Sequence, residues 1–440
     1  MYDIIIGRTS EDREKYGSRG TIFLGRHFIK MGQTTSLSNN ILLDVVRSHV
    51  VFICGKRGGG KSYTMGVVAE GVCDLPEEVK QNISVIMLDT MGVYWTMKYA
   101  NQKEENLLRE WGLEPKALDI RIFTPVGFHQ QFIEQGIPSD YPFSLLPSEL
   151  DANDWCMTFG VSLLDPLGVL IERAVDKLKK SGKKYSVQDI IDAVRSDDKA
   201  DKQSRDAVEN RFTNALNWGI FSEHGTELKE LAQPGKVTVL DVSCYSAMPD
   251  SWKIKAMVIG LVCQKLFIER MTARKLEEYK QVHHSTHYFE EDEDTKQTMP
   301  LVWIVLDEAH EFLPNKGHTM ATDALITILR EGRQPGISLI LASQQPGKIH
   351  TDVMTQADTV IAHRITAKLD TEALGTLMQS YMRQGLDQEL DQLPRSKGAA
   401  IIFDDTNEKM YPMQVRPRTT WHGGDSPVAL KLQDKRFQIL

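Results

Sequence analysis

The sequence predicts an α/β protein built around a largely parallel sheet. Two observations lead there. Short, uninterrupted runs of β-branched and apolar residues recur along the chain, as expected for strands buried on both faces. Longer stretches with helical periodicity separate them, as crossover helices would. A third observation places a ligand: one apolar run leads directly into a glycine-rich loop and then a helical pattern.

Taken in order, the first 48 residues include the alternating TIFLGRHFIK with many turn residues, which predicts a short N-terminal β element. The core then begins, with strands expected at Val50–Cys54, Ile83–Leu88 and Ile120–Phe123 over residues 49–138. From 139 to 235 the patterns are helical, at Pro166–Lys180, Ser186–Arg195 and Ser204–Trp218, with Ser186 a good helix-start residue before VQDII. This segment is expected to be an inserted helical lobe. The core resumes over 236–420 with Val237–Leu240, Leu301–Leu306, Ser338–Leu341 and Thr359–Ala362. GAAIIFDD and KMYPMQVRP then predict two strands around a turn at Asp405–Asn407, and residues 421–440 form a tail.

Composition narrows the function classes. Of 440 residues, 41% are hydrophobic and 25% charged, which is enough apolar content for a large core. The longest apolar stretches, such as Met257–Cys263, fall far short of the roughly 18 residues a membrane span requires, so no membrane role is expected. The start lacks the basic and apolar regions of a secretory signal. Five scattered cysteines without CxxC spacing fit reduced core residues, and a cytoplasmic location is expected. A net charge of −8 speaks against a uniformly basic nucleic-acid coat, but leaves a local basic channel open.

The strongest motif is Gly55-Lys56-Arg57-Gly58-Gly59-Gly60-Lys61-Ser62, set between VVFIC and SYTMGVVAEG. It is a P-loop pattern in the strand–loop–helix context the pattern requires. Glycines let successive backbone N–H groups turn toward phosphates, and the helix N-terminus adds positive potential. Gly55, Gly58, Gly59, Gly60, Lys61, Ser62 and Tyr63 are the expected contacts to ATP, with Lys61 on the β- and γ-phosphates and Ser62 on Mg²⁺.

The apolar run LVWIVL ends in Asp307 and Glu308. Asp307 is placed to hold the Mg²⁺ water shell and Glu308 to polarise an attacking water. ISLILASQQPG ends in Gln344 and Gln345, and Gln344 is the candidate γ-phosphate sensor, unless both simply begin a loop. Arg330 and Arg333 close the helical run TDALITILREGRQPG. They either cap the helix C-terminus or supply an arginine finger to a neighbouring subunit's ATP. Arg333, beside Gly332 and Pro335, is the better placed to project.

Together with IMLDTMGVYW and VRPRTTWHGG, these segments make the chain resemble the HerA branch of the HerA/FtsK ATPases over about residues 45–425, most specifically at 300–346. The resemblance implies a RecA-like sheet with a helical insertion. It also implies homo-hexameric rings that hydrolyse ATP between subunits and move double-stranded DNA through a central pore. Positions matching Lys61, Ser62, Asp307 and Glu308 would bind or hydrolyse ATP, Gln344 would sense its state, and Arg333 would act in trans. The resemblance further implies a separate nuclease or other effector subunit, in DNA end processing or anti-phage defence. Three departures stand out: only about 50 residues precede the P-loop strand, Val93 replaces a usual acidic residue near Asp89, and the basic position before the P-loop strand is either Arg47 or His49.

DNA contacts are sought among Lys177, Lys179, Lys180, Lys183 and Lys184 in the lobe and at Lys348 with His350, each of which also fits an ordinary solvated surface. His283, His284 and His287 lack a fourth ligand for zinc, and the acidic run Glu290–Asp294 suits an exposed loop or a partner contact. The alternative to a motor is a ring-shaped ATPase scaffold that switches a partner enzyme with ATP state; a conjugation- or packaging-type pump is a third class.

Overall fold

Apolar runs that are buried on both faces should stack side by side, and they do. The computed structural model describes residues 2–31, 34–286, 299–365, 368–377, 389–390, 393–394 and 396–424. Among these, one sheet is built from β1 (Ile4–Ile6), β2 (Thr21–Met31), β3 (Thr34–Asp44), β4 (Val50–Cys54), β5 (Ile83–Asp89), β6 (Ile120–Pro125) and β7 (Tyr141–Phe143). It continues with β8 (Val237–Asp241), β9 (Leu301–Leu306), β10 (Ile337–Ser343), β11 (Thr359–His363), β12 (Ala399–Asp404) and β13 (Lys409–Val415). The order is β1-β3-β2-β13-β12-β11-β4-β10-β9-β5-β8-β6-β7. Every neighbouring pair from β11 to β7 is parallel, and the strands from β11 to β3 are antiparallel. The α/β, RecA-like sheet expected from the sequence is present.

The period-two alternation of a strand divides the core in two. Along β4, Val50, Phe52 and Cys54 face one apolar cluster, while Val51 and Ile53 face the other. The first cluster is shared with the helical lobe and the long helix Ser251–Thr286; the second packs the P-loop helix Lys61–Cys73. Phe52 is fully buried, so its replacement by alanine would cost about 3–5 kcal/mol.

The lobe leaves the sheet after β7, a short strand paired to β6 inside the stretch read as helical from 139. Its helices Ala152–Phe159, Val187–Arg195 and Lys202–Leu216 start at Asp151, Ser186 and Asp201, whose side chains accept a backbone N–H of the first turn. Trp155 and Phe212 meet edge to face at 4.9 Å and lock two of them together.

The N-terminal β element joins the main sheet. β2 pairs with β13 through Gly25, Arg26 and His27 opposite Val415, Gln414 and Met413. Gly25 is required at this seam, because a Cβ would collide with the Gln414 carbonyl oxygen. His287, the run Glu290–Asp294 and the tail from 425 lie outside the described residues. Among the described residues no helix is long and apolar enough to cross a membrane, and no His, Cys, Asp and Glu cluster is arranged to hold a metal.

Candidate nucleotide site

Parallel strands end on one edge of the sheet, so residues that follow several of them meet there. β4 runs into the P-loop, β10 into Gln344 and β9 into Asp307, with β10 between the other two. The strand registers therefore gather Lys61, Ser62, Asp307, Glu308 and Gln344 from three widely separated stretches of the chain.

Gly60 precedes the helix Lys61–Cys73 with φ 115°, and Gly55 has φ 153° with its would-be Cβ 2.7 Å from that of His363. A side chain at either position would be strained, and at Gly55 it would also clash. Gly58, at φ 74°, has open space where its Cβ would stand. The first backbone N–H groups of the helix lack intrahelical partners and the loop opens above them, an arrangement suited to phosphate.

Ser62 Oγ donates to Asp307 Oδ2 at 2.5 Å, and Asp307 Oδ1 accepts the Glu308 N–H at 2.8 Å. Burial raises the Asp307 pKa, against the pull of the Ser62 bond. Lys61 is buried, its Nζ 3.4 Å from the Lys56 carbonyl oxygen. Burial lowers its pKa, while Glu308 and Asp307 oppose the change. A hydroxyl and a carboxylate in contact beside the loop are hard oxygen donors, a set that fits Mg²⁺ carried by a nucleotide.

Glu308 sits in the left-handed region, φ 49° and ψ 42°, which costs an L-residue about 1–2 kcal/mol. Gln344 Nε2 donates to its Oε1. Its Oε2 is buried without a hydrogen-bond partner; His310 Nδ1 lies 3.5 Å away and also contacts Ser343 Oγ at 3.1 Å. A strained carboxylate held by one oxygen and unpaired at the other is suited to take up a proton.

Two of the expected residues turn their side chains away from their own chain's loop. Tyr63 turns its hydroxyl to Glu104 Oε2 (3.1 Å) and the Arg418 N–H (2.6 Å), bracing the C-terminal segment instead of facing the loop. Arg333 caps no carbonyls: its Nη2 pairs with Asp358 Oδ2 at 2.8 Å, and Arg330 pairs with Asp352 at 2.5 Å. Arg333 precedes β10 and Asp358 precedes β11, so both lie on the sheet edge opposite the P-loop. At about 3.3 Å per residue, the five residues of β4 put roughly 17 Å between the edges, and Arg333 does not reach its own chain's site.

Two further polar groups escaped the sequence reading, and a third, Asp89, was named there without a role. His363, at the end of β11, lies under the P-loop, its Nε2 2.9 Å from Thr64 Oγ1 and its Nδ1 3.2 Å from the Ala399 carbonyl oxygen. Burial pushes its pKa down to about 4, so it is neutral there. Glu70 on the P-loop helix is buried against Arg416 (2.7 Å) and Arg418 (3.2 Å), with Thr420 Oγ1 donating at 2.6 Å. Asp89 accepts N–H bonds from Met91, Gly92, Val93 and Tyr94, and burial together with Asp241 pushes it up to about 7. The first had a signal, a polar residue closing an apolar run, as in Gln344.

Comparison with known proteins agrees with this geometry. The profile of the family described as "Helicase HerA, central domain" matches residues 29–263, more than half of the chain. The chain belongs to this HerA central-domain family. A probable DNA double-strand break repair helicase HerA of Methanocaldococcus jannaschii is 25% identical over 335 residues, covering 71% of this chain and 61% of that protein. The DNA double-strand break repair helicase HerA of Pyrococcus furiosus is 26% identical over 178 residues, 39% of this chain and 31% of that one. The chain thus matches about three fifths or less of the length of these two HerA relatives. Among solved structures, VirB4 of Thermoanaerobacter pseudethanolicus superposes with a TM-score of 0.53 at 14% identity, covering 91% of this chain and 97% of that one. The likeness shows that this family member and VirB4 share a fold.

Proposed function

We propose that this chain is an ATP-hydrolysing motor that assembles as a hexamer and moves or unwinds double-stranded DNA. The observation that carries the reading is the cluster at the P-loop edge, where Ser62 contacts Asp307 and Gln344 contacts Glu308. In it, the loop N–H groups and Lys61 bind the phosphates. Ser62 and Asp307 hold Mg²⁺, which when bound neutralises charge on the phosphate oxygens. Glu308 Oε2 accepts the proton of the attacking water while Gln344 keeps the carboxylate oriented. Arg333 of this chain is on the far edge; in the proposed assembly a neighbour's Arg333 completes the site, which requires a ring or a comparable head-to-tail assembly.

The names of the HerA relatives support DNA as the object moved. Lys348, exposed three residues past Gln345 on the nucleotide edge, and the exposed Lys177, Lys179, Lys180, Lys183 and Lys184 of the lobe are the proposed phosphate contacts. A separate nuclease or other effector in end processing or anti-phage defence is the proposed partner. The test is ATP hydrolysis by purified protein with and without duplex DNA. Stimulation that disappears in Lys61→Ala supports the motor; normal turnover in a ring indifferent to DNA favours a scaffold that regulates its partner.

A further inference from the structure

Arg333 is two-thirds exposed, yet its guanidinium is bound to a carboxylate that is 6% exposed. That carboxylate is the end of a chain of alternating charges running inward. Asp358 Oδ2 also meets His49 Nδ1 at 3.2 Å and the Val50 N–H at 3.4 Å. His49 Nε2 meets Asp44 Oδ2 at 3.1 Å, and Asp44 Oδ1 accepts from Arg8 Nε at 2.9 Å. Backbone bonds hold the same corner: the Asp358 N–H donates to the Val50 carbonyl at 3.1 Å, and the Leu339 N–H to the His49 carbonyl at 2.9 Å. The His49 ring lies against Gly7, where a Cβ would come within 2.8 Å of it.

An exposed ion pair between two mobile side chains contributes little. Here one partner is immobile, so the cost of ordering falls on the arginine alone. A long guanidinium side chain surrenders rotamer entropy when it is fixed. Anchoring it in advance removes that cost from the moment at which it meets a phosphate.

We propose that Asp358 is the positioning residue for Arg333, holding the guanidinium on the outer sheet edge so that it is presented, already oriented, to a neighbouring subunit's nucleotide. The proposal rests on the reading of Arg333 as the arginine supplied in trans. Asp358 itself touches no substrate. Its hold is one hydrogen bond, from Nη2, which leaves the remaining guanidinium N–H groups for phosphate oxygens.

The experiment is a double-mutant cycle on ATP turnover by the assembled protein, with Arg333→Ala, Asp358→Asn and both together, kcat and KM measured separately. Arg333→Ala is expected to lower kcat on the order of a thousandfold. Asp358→Asn should lower kcat by roughly tenfold with KM little changed, and should add nothing in the Arg333→Ala background. A loss of the same size in both backgrounds overturns the proposal, because a merely structural acid would act without the arginine. Unchanged kcat in Asp358→Asn overturns it as well. Should Asp358→Asn fail to fold, Asp358→Glu retains the charge and displaces it by one methylene; its loss of kcat must likewise vanish once Arg333 is gone. An Arg333→Ala protein with normal kcat removes the trans reading itself, an outcome visible in that variant alone.

Discussion

The two edges of the central sheet are built on opposite principles. On the edge where β4, β9 and β10 end, polar groups are left short of partners: Glu308 Oε2 has no hydrogen bond, its backbone is at positive φ, and Lys61 meets only a carbonyl at 3.4 Å. On the edge where the same strands begin, Arg8, Asp44, His49, Asp358 and Arg333 alternate in sign and each charge meets an opposite one, with Asp358 Oδ1 alone among their carboxylate oxygens buried without a hydrogen bond. The first edge leaves polar groups open for a ligand to meet. The second pairs its charges within the chain and so serves stability and placement. The lesson is that a buried charge does not by itself mark chemistry; an uncompensated one does.

This contrast is open to attack. The largest effect is expected at the nucleotide edge, where Glu308→Gln should reduce turnover by on the order of a hundredfold or more while ATP binding persists, measured by steady-state hydrolysis beside equilibrium nucleotide binding. The same position separates activity from stability. Glu308→Gly relieves the left-handed backbone and removes the unpaired carboxylate, so it should be inactive with a melting temperature equal to or above that of the parent; a clear fall would mean that the site is not strained.

The opposite edge should answer to pH. Burial opposes charge on His49, but Asp358 and Asp44 outweigh it and hold the imidazole at about 9, above its ordinary value. A raised folded-state value means that the stabilisation is full below about pH 6.5 and is lost as pH climbs through about 9, an amount on the order of 3 kcal/mol. Denaturant unfolding between those pH values should show the decline, and His49→Gln should flatten it. A slope unchanged by the substitution would place the titration elsewhere.

A smaller effect belongs to the support beneath the loop. His363→Ala removes the ring under Gly55 and Gly60, and the KM for ATP should rise by roughly tenfold with kcat less affected. Smallest is Lys348→Ala, which should weaken duplex binding modestly and reduce the slope of log affinity against log salt by about one. No change in slope would remove Lys348 from the DNA surface.

Much of the fold was legible because strands buried on both faces announce themselves: Val50–Cys54, Ile83–Leu88 and Leu301–Leu306 each coincide with a strand of the sheet. The nucleotide cluster was legible because each member follows such a run directly. What escaped depends on pairings that no local pattern carries. β2 meets β13 across almost four hundred residues, which makes the N-terminal element part of the main sheet. β7 is three residues long, too short to interrupt a helical periodicity. Arg333 offered a helix cap or a finger, and its actual partner Asp358 lies 25 positions on, at the start of another strand. His49 was noticed only as one of two basic residues before the P-loop strand; of its two acids, Asp44 ends β3 and Asp358 stands before β11, more than three hundred positions on.

The seam between β2 and β13 is three residue pairs wide, closed by a glycine, and followed at once by Arg416, whose N–H and guanidinium bond the Leu24 and Phe23 carbonyls. In mechanical terms it is a narrow weld between a broad catalytic plate and a small flange. Beside the apolar contacts that Ile22 shares with the P-loop helix, a pull on the N-terminal strands passes through these bonds into Arg416, on to Glu70 and so into the same helix, which gives the flange a short line to the P-loop.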